Sequence, residues 1–368
     1  MDVPPDRTDI AGRICDANPM GTDGFEFVEF TGPDLPALEA LFTRLGFAAV
    51  AQHRSKDVTL WRQGETNFIL NAEPESFAQA FQRVHGPCAC AMAFRVKDAK
   101  AAHERALKLG ATDVKVGKGD GELDIPAIEG IGGSRLFFVD RYGATGSIYD
   151  VDFDFHPDWR QRMAQADSKL TYIDHLTHNV NRGQMATWAG FYERLFNFRE
   201  IRYFDIEGKL TGLKSRAMTS PDGAIRIPIN ESSDDKSQIE EYLHAYHGEG
   251  IQHIALATEN IYASVETLAA QGAQFQDTPD TYYERLDNRI KGHGEDAARL
   301  KRDRILMDGE KGDLLLQIFT QNAIGPIFFE IIQRKGNQGF GEGNFKALFE
   351  SIEADQIKRG VLKDTSAA

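Results

Sequence analysis

Two histidines three residues apart in "YIDHLTHNV" (172–180) are the first residues in this sequence whose types could do chemistry. On a helix His175 and His178 would share a face; on a strand they point to opposite faces. The segment reads as a strand, so only one of the two can face a given pocket. Ile173, His175 and Thr177 then share one face, and Asp174, Leu176 and His178 the other. Two more apolar strand-like segments carry one candidate each, His253 in "GIQHIALAT" and Glu330 in "GPIFFEIIQR". A glutamate inside "IFFEII" is costly to bury unless something positive meets it. The plain alternative is a charge escaping at a strand edge. Two imidazoles and one carboxylate on one face would instead hold a metal with three positions open, the facial arrangement of non-haem Fe(II) oxygenases.

No other histidine forms a better triad. His178 has the opposite parity and reads as a surface or hydrogen-bonding residue. His244 and His247 in "YLHAYHGEG" read as solvated, and His293 lies in a glycine-flanked loop. His53, His85, His103 and His156 fall in the half of the chain that lacks a complete ligand set.

The elements that must position the triad occur twice. "FEFVEFTGPDLPALEALFTRLGF" is answered by "LTYIDHLTHNVNRGQMATWAGFYERLFNF", and "AMAFRVKDAKAAHERALKLGA" (91–111) by "HIALATENIYASVETLAAQGA" (253–273). Each is a strand, a turn, an amphipathic helix and a stop, and each half ends in further strands. The expected fold is therefore α+β: two domains of paired βαβββ modules, each forming an open barrel around a pocket. The expected limits are 1–157 and 168–368, with the polar stretch "HPDWRQRMAQADSK" (156–169) as linker. Laying the halves over each other sets Glu29 opposite His175, Ala91 opposite His253 and Val151 opposite Glu330. The first half thus repeats the architecture without the ligands, which favours a functional origin for the triad.

Composition narrows the partners. A chain of 368 residues exceeds one comfortable core. Its net charge of −14 disfavours nucleic acid and anionic membranes. Three cysteines make neither a disulfide framework nor a thiolate zinc site. No apolar run approaches the roughly 20 residues of a spanning helix, and the first residues lack the pattern of a secretory signal. The expectation is a soluble, cytoplasmic protein acting on a small molecule.

"DHLTHN", "PIN", "SQIEEY", "GIQHIAL", "LLLQIFT", "FFEIIQRKG" and "GFGEGNFKALFESIE" resemble the 4-hydroxyphenylpyruvate dioxygenase family, densely over 170–360 and more loosely over 1–155. The resemblance implies two vicinal-oxygen-chelate (glyoxalase/extradiol dioxygenase-like) domains, the second catalytic and the first metal-free. It makes His175, His253 and Glu330 the Fe(II) ligands, in agreement with the residue-level reading. It implies a polar network of Ser215, Asn230, Gln238, Gln252 and Gln317 around the substrate, with Ser215, Asn230 and Gln238 in catalytic roles. Phe319, Phe328, Phe340, Asn344 and Phe345 would line the aromatic end of the pocket. Gln252 neighbours a ligand with opposite parity, so an indirect part is open to it.

The implied reaction turns 4-hydroxyphenylpyruvate and O2 into homogentisate and CO2, a step of tyrosine catabolism, and relatives are dimers or tetramers. The nearest rival, 4-hydroxymandelate synthase, uses the same substrate and ligands but is altered at the position of Phe345 and near Pro228, both kept here. An extradiol ring-cleaving enzyme would bring further acid–base histidines, with His178 the only nearby candidate. A non-catalytic ligand-binding protein of the same fold would leave Glu330 buried without a counter-charge. In the tail, Phe345, Leu348, Phe349 and Ile352 share one helical face. With Asn344 as N-cap and glycines 339, 341 and 343 as hinge, that helix is expected to act as a lid.

Overall fold

The computed structural model describes residues 8–207, 212–235 and 237–347. Among the described residues, seventeen strands form two sheets. The first contains β1 (Phe25–Thr31), β2 (Ala48–His53), β3 (Val58–Gln63), β4 (Thr66–Asn71), β5 (Cys88–Arg95), β6 (Asp113–Val114), β7 (Ala127–Glu129), β8 (Arg135–Val139) and β9 (Phe153–Phe155). The second contains β10 (Leu170–Val180), β11 (Arg199–Glu207), β12 (Gly212–Thr219), β13 (Arg226–Ser232), β14 (Gly250–Thr258), β15 (Leu306–Glu310), β16 (Asp313–Phe319) and β17 (Phe328–Lys335). Their orders are β6-β7-β8-β5-β1-β4-β3-β2-β9 and β11-β12-β13-β10-β14-β17-β16-β15. Read from opposite ends the two match strand for strand, with β9 as an extra edge. The doubled βαβββ repeat is therefore present in both halves.

Helices follow the first strand of each module, and all but Met185–Phe196 start on a side-chain cap. Asp34 accepts from the Ala37 amide ahead of Leu35–Arg44, Asp98 from Ala101 ahead of Ala99–Lys108, and Asn260 from Ala263 ahead of Ile261–Ala270. Such caps satisfy amides that the first turn leaves without partners. The stretch between the sheets holds one helix, Trp159–Ala166.

A shared irregularity fixes how the halves correspond. The pairing of β1 with β5 steps from Glu29–Ala91 to Phe30–Ala89, and that of β10 with β14 from Thr177–His253 to His178–Ile251. Both steps are β-bulges at the same point of the module. Aligning them sets Phe27 opposite His175, Ala91 opposite His253 and, through the β5–β8 and β14–β17 registers, Phe137 opposite Glu330. The overlay read from sequence is right for Ala91 and wrong for the other two. Glu29 corresponds to Thr177, because the strands are offset by two residues, and Val151 lies on the short helix Tyr149–Asp152, off the sheet. Phe27 and Phe137 pack with ring centroids 5.7 Å apart in a buried cluster that includes Ala91. The first half fills with aromatic carbon the positions where the second half gathers ligands.

Bulges also break the simple parity of β10. The register slips between Ile173 and His175, so Ile173 packs into the main core with Leu176 and does not share the face of His175. His178 is fully buried, its Nε2 2.7 Å from the Tyr192 hydroxyl. It is a hydrogen-bonding core residue; the surface reading fails because the helix Met185–Phe196 covers that side of the sheet.

Candidate metal centre and its cavity

β10, β14 and β17 are adjacent strands, and their inward side chains bring His175, His253 and Glu330 together. The three positions that the sequence singled out thus meet in space. His175 Nε2 and His253 Nε2 are 3.3 Å apart, and each is 3.3 Å from Glu330 Oε2. All three residues are buried. His175 Nδ1 lies 2.8 Å from Asp174 Oδ1, and His253 Nδ1 lies 2.8 Å from Gln252 Oε1. A carboxylate and an amide oxygen only accept, so both Nδ1 atoms donate. Both Nε2 atoms are then left as lone-pair acceptors, facing a carboxylate oxygen that is also an acceptor. The Thr177 hydroxyl, 3.0 Å from His253 Nε2, can donate to that nitrogen, but His175 Nε2 and Glu330 Oε2 are left facing each other as buried acceptors, an arrangement that a cation between them relieves. Donors about 2.1 Å from one ion in a facial set stand roughly 3 Å apart, close to the spacing seen. The residues present fit a divalent metal.

The electrostatics agree. Burial opposes charge on Glu330, yet His175 and His253 beside it hold its carboxyl below the usual range. Burial would depress His175, but Glu330 and Asp174 outweigh it and raise its affinity for a proton. His253 is depressed, burial outweighing Glu330. Asp174 is buried too, but Arg334 and Arg226 keep it well below the carboxylate range. The buried charges of Asp174, Glu330, Arg226 and Arg334 cancel, so a divalent ion would leave the site about +2, suited to an anionic substrate despite the acidic surface.

A cavity of about 300 Å³ opens on the triad. Ser215, Asn230, Gln238, Gln252, Phe319, Phe328, Phe340 and Phe345 line it. Ser215 and Asn230 are cross-strand partners on β12 and β13. Gln238 is presented by the first turn of the helix Gln238–Tyr246, which Ser237 caps. Phe328 stacks on His253 at 4.9 Å and meets Phe319 edge-on at 5.9 Å, and Phe340 meets His175 edge-on at 5.3 Å. Pro228 also lies on the wall.

Two residues expected on the wall sit behind it. Gln317 Nε2 donates to Glu330 Oε1 at 3.4 Å, and its Oε1 accepts from Asn344 Nδ2 at 3.0 Å. Asn344 does not cap the terminal helix. That helix begins at Glu342, and the Asn344 side chain is engaged by Gln317, Tyr282 and Arg289. Leu348, Phe349 and Ile352 of the expected lid face lie outside the described residues. Sequence reasoning missed Phe204, Leu213, Ile239 and Leu306 of the wall. It also missed Arg226 and Arg334 beneath the triad. Arg226 opening the apolar run "RIPI" was the available signal for one; Arg334, between Gln333 and Lys335 at the end of β17, carried none.

A sheet-built cavity with an inward His, His, Glu face defines a metal-binding protein of the glyoxalase and dioxygenase class. Residues 172–287 match the family model "Glyoxalase/Bleomycin resistance protein/Dioxygenase superfamily", and residues 17–154 match "Hydroxyphenylpyruvate dioxygenase, HPPD, N-terminal". The chain belongs to the 4-hydroxyphenylpyruvate dioxygenase family. It is 62% identical to a 4-hydroxyphenylpyruvate dioxygenase of Pseudomonas aeruginosa, over 95% of this chain and 99% of that protein. It is 65% identical to a Vibrio vulnificus protein named hemolysin VllY, over 94% and 98%. A solved structure of a variant 4-hydroxymandelate synthase from Streptomyces coelicolor superposes with a TM-score of 0.77 over 90% of this chain and 98% of that one; at 24% identity it speaks for the fold alone. The similarity covers the first half as well as the second, more evenly than the motifs suggested.

Proposed function

We propose that this enzyme is a non-haem Fe(II) dioxygenase that converts 4-hydroxyphenylpyruvate and O2 to homogentisate and CO2. The observation that carries the reading is the convergence of two imidazole nitrogens and a carboxylate oxygen at one wall of a cavity whose other lining includes aromatic rings and neutral amides. His175, His253 and Glu330 would hold the iron. When bound, Fe(II) would supply dioxygen activation and Lewis-acid binding of a 2-oxo acid.

The remaining work belongs to the chain. Asn230, Gln238 and Ser215 offer hydrogen-bond donors and acceptors to the phenol without adding a charge, and Gln252 holds the His253 ring so that Nε2 faces inward. Phe319, Phe328, Phe340 and Phe345 fix the ring plane and keep water from the reacting atoms. Gln317 and Asn344, assigned here a supporting part, steady Glu330 from behind. One substrate and one O2 give one CO2 and one homogentisate, with one oxygen entering the new carboxyl and one the ring, so no second 2-oxo acid is consumed. We assign catalysis to 168–368 and an architectural or assembly role to 1–157, in a cytoplasmic dimer or tetramer. The cysteines are free, two of them buried, as a reducing compartment allows. Among the described residues no helix is long and apolar enough to cross a membrane.

Benzylic hydroxylation to 4-hydroxymandelate is the rival outcome. The resemblance implies that such enzymes are altered at the position of Phe345 and near Pro228; both residues are kept here and line the cavity, which supports ring attack. Oxygen uptake by Fe(II)-loaded enzyme with 4-hydroxyphenylpyruvate, followed by product identification, tests the reading. Homogentisate with matching CO2 is expected. A 4-hydroxymandelate product overturns the assignment, and tight substrate binding without oxygen uptake would mean a sequestering protein.

A further inference from the structure

The buried charges beneath the triad carry more than ligand orientation. Asp174 Oδ1 accepts from His175 Nδ1 at 2.8 Å and from Arg334 Nη2 at 2.8 Å. Its Oδ2 accepts from Arg334 Nε at 2.8 Å and from Arg226 Nη1 at 3.1 Å. Both arginine side chains are almost wholly buried, at 3% and 1% exposure. Glu330 balances the charge of the second arginine, but the placement of both guanidiniums on Asp174 is tied to what else the pair holds. Arg334 Nη1 donates to the carbonyls of Asn337, at 3.0 Å, and Gly339, at 2.8 Å. Arg226 Nη2 donates to Gln338 Oε1 at 2.9 Å. The Arg334 guanidinium lies over the Phe340 ring at 5.7 Å, and that ring is the one that meets His175 edge-on. The grip therefore closes a loop: ligand, carboxylate, two arginines, the 337–340 turn, Phe340, and back to the ligand.

We propose that Asp174, clamped by Arg226 and Arg334, is a positioning residue that ties the orientation of His175 to the 337–340 turn that carries Phe340 into the cavity. A planar guanidinium offers donors in a fixed fork, so Arg334 can satisfy Asp174 and two carbonyls only in one arrangement of all three. Loading a cation at His175 Nε2 polarises its Nδ1–H and strengthens the bond to Asp174, which holds the arginine fork and the turn in place. Loss of the fork frees the turn and lets the imidazole rotate. The inference rests on the reading of His175 as a metal ligand.

The test uses the full-length enzyme with Co(II), a redox-stable probe, under anaerobic conditions. Wild type is expected to bind one Co(II), with His253→Ala binding none; failure of that step removes the metal reading itself. Given that step, Co(II) should slow hydrogen exchange of the amides in 336–343 in wild type, a measurement that needs no variant to fold. Arg334→Met should weaken Co(II) by roughly 10–100-fold, alter its visible spectrum and abolish the cobalt-dependent protection. Arg334→Lys should restore affinity to within about threefold of wild type, because the charge on Asp174 is kept, but not the protection, because the fork is lost. Unchanged exchange in wild type on cobalt loading overturns the proposal. So does an Arg334→Met enzyme with wild-type affinity and spectrum.

Discussion

At the scale of single residues the site is defined by which atoms carry protons. Asp174 and Gln252 hold the Nδ1 protons, so His175 and His253 each turn Nε2 toward the site, and removing either should cost more than removing an outer-sphere partner. His175→Ala and His253→Ala are each expected to lower Fe(II) affinity by more than roughly 100-fold and to abolish turnover. His178→Gln should bind iron as wild type does, since His178 faces the helix side. Anaerobic titration measures all three, and an intact iron site in His253→Ala would refute the assignment. His178 carries a different prediction. Burial holds its pKa down to about 3, against an ordinary value of 6.5. The unfolded chain therefore binds a proton that the folded chain refuses between these values, and stability falls as pH drops below 6.5. From pH 7 to pH 5 this group alone should cost about 2 kcal/mol. Gln can keep a hydrogen bond to Tyr192 without titrating, so His178→Gln should reduce the loss seen in denaturant midpoints at the two pH values; an equal loss in both proteins would count against it. The ligands were legible because an imidazole or carboxylate in an apolar strand is costly to bury unless a partner offsets its desolvation. Asp174 was not, because strand parity turned it away from His175, and no periodicity reveals that bulges in β10 let adjacent residues meet.

At the scale of elements the repeat was legible because each module restarts the same hydrophobic pattern, and caps such as Asp34 and Asn260 mark where helices begin. Register was not legible: only the shared bulge shows that Phe27 and Phe137 stand where the second half has His175 and Glu330. The segment leading into the terminal helix follows the same rule. Its glycines suggested a pliable hinge, but the structure gives Gly341 a specific task. Its φ is +79°, and a Cβ there would stand 1.9 Å from Gln317 Oε1. The backbone presses against the amide that reaches both Glu330 and Asn344, so the position is a tight contact as well as a turn. An alanine must therefore bear left-handed strain of roughly 1–2 kcal/mol and also displace the Gln317 amide. Gly341→Ala is expected to lower kcat/KM at least tenfold, about 1.4 kcal/mol of transition-state stabilisation. Steady-state kinetics and a melting curve read the two effects, and a variant with wild-type kinetics would show that the Gln317 relay is dispensable.

At the scale of the whole molecule the two sheets are similar in plan but do not form separate cores. Phe68 of β4 packs against Phe329 of β17 with ring centroids 5.9 Å apart, and Phe68 also stacks on Phe47 at 4.2 Å. Gln63 of β3 receives the amides of Ser168 and Leu170 at the start of the second half, and Thr22 donates to Asp222 at 2.6 Å. His85 Nδ1 lies 2.7 Å from the Tyr246 carbonyl across the same boundary. One continuous buried cluster includes residues of both halves. Phe329 is next to Phe328, which stacks on His253, and one residue from Glu330, so the shared core backs directly onto the ligand strand. The first half thus supports the centre by packing without offering it a ligand. Unfolding should be a single cooperative transition in which the cobalt spectrum and the far-ultraviolet signal are lost together. Phe68→Ala, in the half without a metal site, should destabilise the protein by about 3–5 kcal/mol through the cavity it leaves. It should also lower the temperature at which the metal-bound spectrum disappears by the same amount as the helix signal. Saturating metal at 100 times its dissociation constant should return about 2.7 kcal/mol to both. Two resolved transitions, with the cobalt band unaffected by Phe68→Ala, would mean that the halves fold independently and that the shared core does not support the site.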